Sequence, residues 1–358
     1  LASNVGQANV AIGKNCMLAN TTGSGDTAVG EAAMWGNTSG IMNAALGLEA
    51  LELNTTGSYN VALGSEALLV SNADGGTGIG YQSLFSNTTG AYNTATGYQA
   101  LYSNTTGGDN AATGNLALFA NTTGAFNVGV GAYALNANTT GFENTAVGPF
   151  ALMHELTGVA NVAVGFLAGN NYTGSESHNV TVANMGVAGE SGVIRIGSSS
   201  QSKAFVAGIY ASTVGSGVPV YVNSAGQLGT TTSSRRFKED IADLGAASDV
   251  LMRLRPVSFR YKAAYDDGRR TVQYGLIAEE VAAVDPGLVQ YGDDGEPLTV
   301  RYHFVNAMLL GEVQKQHATI ASQAAEIAAL KSMIASQESA LSALADRLET
   351  LEAAVSVH

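Results

Sequence analysis

The chain has 358 residues, enough for two or three domains, with 44 glycines, 5 prolines, one cysteine and a net charge of −13. From residue 1 to 194 Lys14 is the sole base against eleven acids, which leaves no electrostatic footprint for nucleic acid and excludes that role. Cys16 alone forms no intrachain disulfide or cysteine-based metal site, and no run of about 18 apolar residues is present to insert in a membrane. The chain opens at Leu1 with no signal-peptide pattern, which reads as a piece of a longer protein.

From about residue 3 to 186 a 17-residue unit recurs: Asn-Thr-Thr-Gly-x-x-Asn-x-Ala-x-Gly-x-x-Ala-Leu-x-x. Its central glycine is kept ten times, at Gly13, Gly30, Gly47, Gly64, Gly80, Gly97, Gly114, Gly131, Gly148 and Gly165. The alternation in Asn60-Val61-Ala62-Leu63-Gly64 has the period of a strand. Asn-Thr-Thr-Gly is turn chemistry. Each unit is too small to bury a core alone, so the units are expected to wind into a parallel β-solenoid that buries Ala and Leu between coils. Asn43, Asn60, Asn93, Asn110, Asn127, Asn144 and Asn161 would then stack as a side-chain ladder. Cys16 fills a slot held elsewhere by Ala33, Ala50, Ala67 and Ala100, and reads as a small buried apolar residue.

Small strand residues imply a narrow interior that one coil fills poorly, so three chains are expected side by side, sharing apolar faces. Tyr59, Tyr92, Phe126 and Phe142, close to the ladder asparagines, would fill those contacts or face solvent. Asp26, Asp74 and Asp109 do not recur at one slot, which argues against calcium repeats. Adjacent Thr55 and Thr56 do not give the every-other-residue array that a flat ice- or glycan-binding face needs. The Asn-Thr-Thr triplets also fit the glycosylation sequon, but their density reflects the turn. The repeats resemble the head repeats of trimeric bacterial adhesins and the arrays of phage tail fibres, which implies a parallel β-roll in a trimer.

Residues 187–232 read as a β neck and distal tip, with strands at 193–197, 204–209 and 219–223. Then follows Thr231-Thr232-Ser233-Ser234-Arg235-Arg236-Phe237-Lys238. On the residues alone, Ser233-Ser234 reads as a cap beside a solvated charged face. Yet Ser233, Arg236 and Lys238, with the blocks Leu254–Tyr261 and Gly275–Val281, resemble the self-cleaving intramolecular chaperone domain of phage tail spikes, endosialidases and myelin regulatory factor. The sequence departs from that pattern at Ser234, commonly Asp, and at Glu279, commonly Gln; neither removes a catalytic atom.

The resemblance implies an α+β chaperone domain at 233–304 that acts as a single-turnover serine peptidase on its own chain. Ser233 and Lys238 would be its catalytic pair, Arg236 and Glu280 the oxyanion or supporting groups, and the bond between Thr232 and Ser233 the one cut. A lysine serves as base only when enclosure lowers its pKa from about 10.4 toward roughly 7–8. Cleavage would therefore follow folding and assembly. His303 reads as a structural contact. No cofactor or metal is called for.

From Val313 apolar residues recur every seven, at Ile320, Ile327, Ile334, Leu341, Leu348 and Val355, with companions Leu309, Gln316, Gln323, Leu330, Gln337, Leu344 and Leu351. This a/d seam predicts a coiled coil over 305–358. Ile at a with Leu at d leans toward two strands, but the repeats and the resemblance both imply three.

The whole reads as a mainly β homotrimer: a solenoid shaft at 1–186, the neck, the chaperone domain and the coiled coil. Its partners are expected to be its own copies and a host-surface receptor or glycan. It would be made in the bacterial cytoplasm and carried on the virion as a tail fibre. The alternative is a bacterial trimeric adhesin whose C-terminal clamp never cuts.

Overall fold

The computed structural model describes residues 5–207, 209, 217–266, 268–292 and 294–355; Leu1, Gly208 and the side chain of Val355 lie outside this set. Twelve three-residue strands among the described residues, from Val10–Ile12 to Ile194–Ile196, pair in parallel and in chain order into one sheet. The 17-residue unit is therefore one coil of a parallel β-solenoid, and the molecule is mainly β. The spacing shortens to 16 between Val61 and Thr77 and to 14 between Val180 and Ile194, without breaking the register.

In the ten strands from Thr27–Val29 to Val180–Val182 only the middle residue is buried, so a single residue per strand reaches the interior. Ala28, Ala45, Ala62, Ala95, Ala112, Ala146 and Ala163 take that place and are buried. The corner after each strand adds Ala50, Ala67, Ala100 and Ala117 with Leu51, Leu68, Leu101 and Leu118, all fully buried in one chain. One coil thus fills its own interior. The expectation of a poorly filled interior is corrected: small strand residues match a narrow coil rather than leaving it hollow. Cys16 packs against this core, its Sγ 3.2 Å from the Ala28 carbonyl, and burial pushes its thiol up.

The central glycine is required by two facts at once. From Gly13 to Gly148 its φ lies between +130° and +146°, and an added Cβ would stand 2.2–2.6 Å from the next coil's glycine backbone. Only a residue without a side chain permits that approach. Less expected, the corner leucines also have positive φ, +53° at Leu51 and +52° at Leu101 and Leu118. Such backbone costs on the order of 1 kcal/mol per bulky residue. Coil-to-coil hydrogen bonds such as Leu51 N to Ala67 O at 3.0 Å hold it.

The asparagine ladder forms. Asn127 donates from Nδ2 to Asn110 Oδ1 at 3.1 Å and to the Gly141 carbonyl at 2.8 Å. Its Oδ1 accepts from Asn144 N at 3.0 Å and Asn144 Nδ2 at 3.2 Å. Asp26 occupies the same slot one coil before Asn43. Replacing Asn127 with alanine strips these four bonds and orphans buried partners on both sides. A loss of about 3–4 kcal/mol is expected, read as a fall of roughly 10 °C in the melting temperature of the shaft. An unchanged midpoint would show the ladder to be decoration.

Outside the interior, Tyr59, Tyr92, Phe126 and Phe142 are exposed in the single chain, as are Leu46 and Leu63 on the strands' outer face. The first threonine of each turn donates its hydroxyl to the next coil, as Thr88 does to Thr105 O at 2.8 Å.

The neck reading needs two corrections. Ile194–Ile196 is the twelfth strand of the solenoid sheet, paired with Val180–Val182. The described residues of 204–209 form no strand: Phe205 and Val206 are exposed and no ladder runs beside them. The third segment does form one, Tyr221–Val222, paired antiparallel with Leu228–Gly229.

The chain divides into two units, residues 1–212 and 213–358. In the second, Val257–Phe259 pairs antiparallel with Gln273–Gly275, and Val289–Tyr291 with Pro297–Val300. Helix α1 (Ala278–Val284) buries Val281 against Leu288, Val289, Val300 and Met308. Helix α2 (Tyr302–Val355, 54 residues) docks only by its first turns, where Glu312 accepts from Ser248 Oγ at 2.7 Å and Lys315 pairs with Asp249 and Glu312. Beyond Lys315 every side chain of α2 for which burial is described is exposed. Neither helix is long and apolar enough to cross a membrane.

Candidate active site

The site begins on an extended strand-like segment that turns abruptly. Ser234 has φ −67° and ψ 138°, and Arg235–Phe237 forms one tight 3-10 turn closed by Phe237 N to Ser234 O at 3.1 Å and Lys238 N to Arg235 O at 3.0 Å. Ser234 makes no side-chain cap. The turn folds the chain back on itself, so the Lys238 amine reaches the Ser233 hydroxyl: Nζ to Oγ is 3.2 Å. Five residues of separation become one hydrogen bond.

That contact places a candidate nucleophile beside a candidate base, the first geometric requirement of Ser-Lys chemistry. Both residues are exposed in the single chain, as is the segment from 231 to 243. The second requirement, exclusion of water, is not met by this chain alone.

The two supporting residues have other partners. The Arg236 guanidinium lies 4.6 Å over the Phe237 ring. Glu280, in the first turn of α1, is gripped by Arg255 through Nε at 3.0 Å and through Nη2. This Arg255 cation holds the Glu280 carboxyl below its ordinary range. Among the described residues neither Arg236 nor Glu280 is hydrogen-bonded to Ser233 or Lys238. Arg255–Glu280 instead ties together two of the sequence blocks that carried the resemblance, and Tyr302 Oη, accepting from Leu276 N at 3.0 Å, adds the start of α2. Sequence reasoning marked both blocks without finding the ion pair between them. Opposite charges 25 residues apart were the available signal.

His303 faces the rings of Tyr221, at 5.6 Å, and Phe304, at 4.4 Å. It is a packing contact, and among the described residues it is not hydrogen-bonded to Ser233 or Lys238. No cluster of three or more His, Cys, Asp or Glu suited to a metal occurs among the described residues.

No curated protein matches the chain. The segment that opens with the Ser233–Lys238 pair is similar to the chaperone of endosialidase, whose family model matches residues 233–290, and the β-solenoid of 17-residue repeats before it fits a tail fibre ending in such a domain.

Proposed function

We propose that this chain is part of a trimeric phage or prophage tail fibre whose C-terminal domain gathers three copies, assists folding of the solenoid, and then cuts the chain between Thr232 and Ser233. The observation that carries this reading is the Ser233–Lys238 hydrogen bond at the start of the matched domain. It is supported by the bare heptad face of α2, where Ile320, Ile327, Ile334, Leu341 and Leu348 are all more than half exposed.

A long exposed helix with such a seam is completed by copies of itself. In parallel, in-register strands the flanking positions are complementary: Glu326 meets Lys331 of the partner subunit, and Arg347 meets Glu352 of the partner subunit. Parallel coils have long loops to close and edges to protect, so a clamp that registers three chains has a physical use during folding.

The chemistry follows from enclosure. When neighbouring copies cover the 233–238 turn, desolvation favours the neutral amine. Lys238 Nζ then takes the Ser233 hydroxyl proton as Oγ attacks the Thr232 carbonyl carbon. The C–N bond to Ser233 breaks, its nitrogen receives the proton, and an ester joins Thr232 to Oγ. Water hydrolyses that ester to leave the Thr232 carboxylate and the free hydroxyl. Arg236 and backbone amides stand close in sequence to stabilise the oxyanion. The released shaft would meet a host-surface receptor or glycan.

Replacing Lys238 with arginine keeps the charge but removes a base, because a guanidinium does not deprotonate. Cleavage is expected to slow by about 10²–10⁴-fold on a gel time course. Cutting at the wild-type rate would remove Lys238 from the mechanism. A wild-type chain that assembles yet stays whole would favour the non-cutting adhesin clamp.

A further inference from the structure

A second ladder runs through the solenoid, built from the asparagine that opens each Asn-Thr-Thr-Gly turn. Asn104, Asn121 and Asn138 each donate from Nδ2 to the Oδ1 of the previous coil's asparagine, at 2.7, 2.8 and 2.8 Å. The same amide group also donates to the glycine carbonyl three residues ahead, as Asn138 does to Gly141 O at 3.1 Å. At Asn54 the oxygen also accepts from that glycine's N–H, Gly57 N to Asn54 Oδ1 at 2.9 Å, whereas Gly107 N and Gly124 N reach a threonine carbonyl of the next coil.

The coil after Asn138 puts Glu155 in this slot, fully buried. Glu155 Oε1 accepts from Gly158 N at 2.8 Å, as Asn54 Oδ1 does from Gly57 N. Oε2 is left in the place of the amide nitrogen, where the ladder requires a donor. Glu155 Oε2 and Asn138 Oδ1 are both buried and both without a partner. Two buried acceptors in adjoining rungs lack one hydrogen between them, and each orphan costs about 1–3 kcal/mol. Asp26 in the first ladder shows the contrast. Its two oxygens accept from Asn43 N at 2.9 Å, Asn43 Nδ2 at 3.1 Å and Asn37 Nδ2 at 3.3 Å, so both have donors, and these bonds oppose the burial that pushes its carboxyl up.

We infer that Glu155 is a buried proton-binding site of the shaft, carried as the neutral acid with its Oε2–H donating to Asn138 Oδ1, and that this proton couples solenoid stability to pH.

The charged surroundings agree. Glu176, one coil on, is a carboxylate held by Gly174 N and Gly189 N, both at 2.9 Å, and kept below its ordinary range. Tyr172, the next residue in the column, donates its hydroxyl to Glu190, whose carboxylate is paired with Arg195 at 2.8 Å. The nearby cation is therefore committed elsewhere, and among the described residues no ion pair joins a cation to Glu155. Burial, with Glu176 adding to it, raises the Glu155 carboxyl to about 7, against the N–H of Gly158.

For a carboxyl raised in the folded state, the stabilisation is complete below its ordinary pKa near 4.5 and is lost as pH rises through about 7. The folding equilibrium of the shaft should weaken by a few hundred-fold between those limits through this group. The test compares thermal melts of the full chain at pH 5 and pH 8 with those of Glu155→Gln, whose amide supplies the N–H at every pH. The wild type should lose stability toward pH 8 relative to the variant, and the two should be similar at pH 5. On the wild type alone, a protonated-carboxyl carbonyl band in the infrared should titrate near pH 7. An identical pH dependence in both chains, or no such band, overturns the assignment. So does a rise in wild-type stability on adding sodium or calcium ions, which would put a cation where the proton is placed.

Discussion

Replacing Ser233 with alanine is expected to leave the chain in one piece, whereas the wild type should separate on a denaturing gel into residues 1–232 and 233–358. The effect is expected to be on the order of 10⁶-fold, because the variant loses the atom proposed to attack the carbonyl. The substitution removes one exposed hydroxyl whose side-chain partner among the described residues is the Lys238 amine, so folding and assembly should be untouched. An uncut, fully assembled variant would therefore separate chemistry from structure. Pieces that still appear with Ser233→Ala would assign the cut to an outside protease or to Ser234, and the dyad would be wrong.

The second large effect concerns assembly. Ile327→Asp combined with Ile334→Asp places two carboxylates per chain in the centre of the α2 seam. Each isoleucine lost removes about 1.5–3 kcal/mol of burial, and each unpaired buried carboxylate costs several kcal/mol more. Light scattering should then report the mass of a lone chain, and that lone chain should stay uncut. The native fold gives the reason: among the described residues α2 meets the rest of its own unit only as far as Lys315, which leaves its seam open for the copies proposed above. A monomeric double variant that cuts as fast as the wild type would show that the turn at 235–237 activates Ser233 without enclosure.

Much of this architecture is legible in the residues. The 17-residue period, the central glycine, the first asparagine ladder and the heptads each follow from one rule applied to one spacing. The second ladder is hidden because its asparagines also open a turn, and turn chemistry explains them fully from sequence. Nothing in the run His154-Glu155-Leu156 marks Glu155 as a rung; only the stacked coils do. The left-handed backbone of Leu51 and Leu101 runs against propensity and exists because the neighbouring coils fix it. The strand at Ile194–Ile196 escapes the repeat because its spacing is 14, yet it still finds a parallel partner. The apolar run at 204–207 shows the converse: strand-forming residues without a neighbouring edge make no strand.

The candidate site divides in the same way. Ser233 and Lys238 are five apart and meet through a turn that the sequence only hints at. Arg236 and Glu280 were assigned by resemblance, and their contacts, Phe237 and Arg255, depend on packing that no local pattern encodes.

Cutting should wait for assembly. Newly synthesised chain should be sampled over time, each sample giving particle mass by light scattering and polypeptide length by intact mass spectrometry. Breakage at Thr232–Ser233 should appear only in particles of three chains and never in the single-chain fraction. A stable, uncut, lone chain, or scission within one, would contradict it.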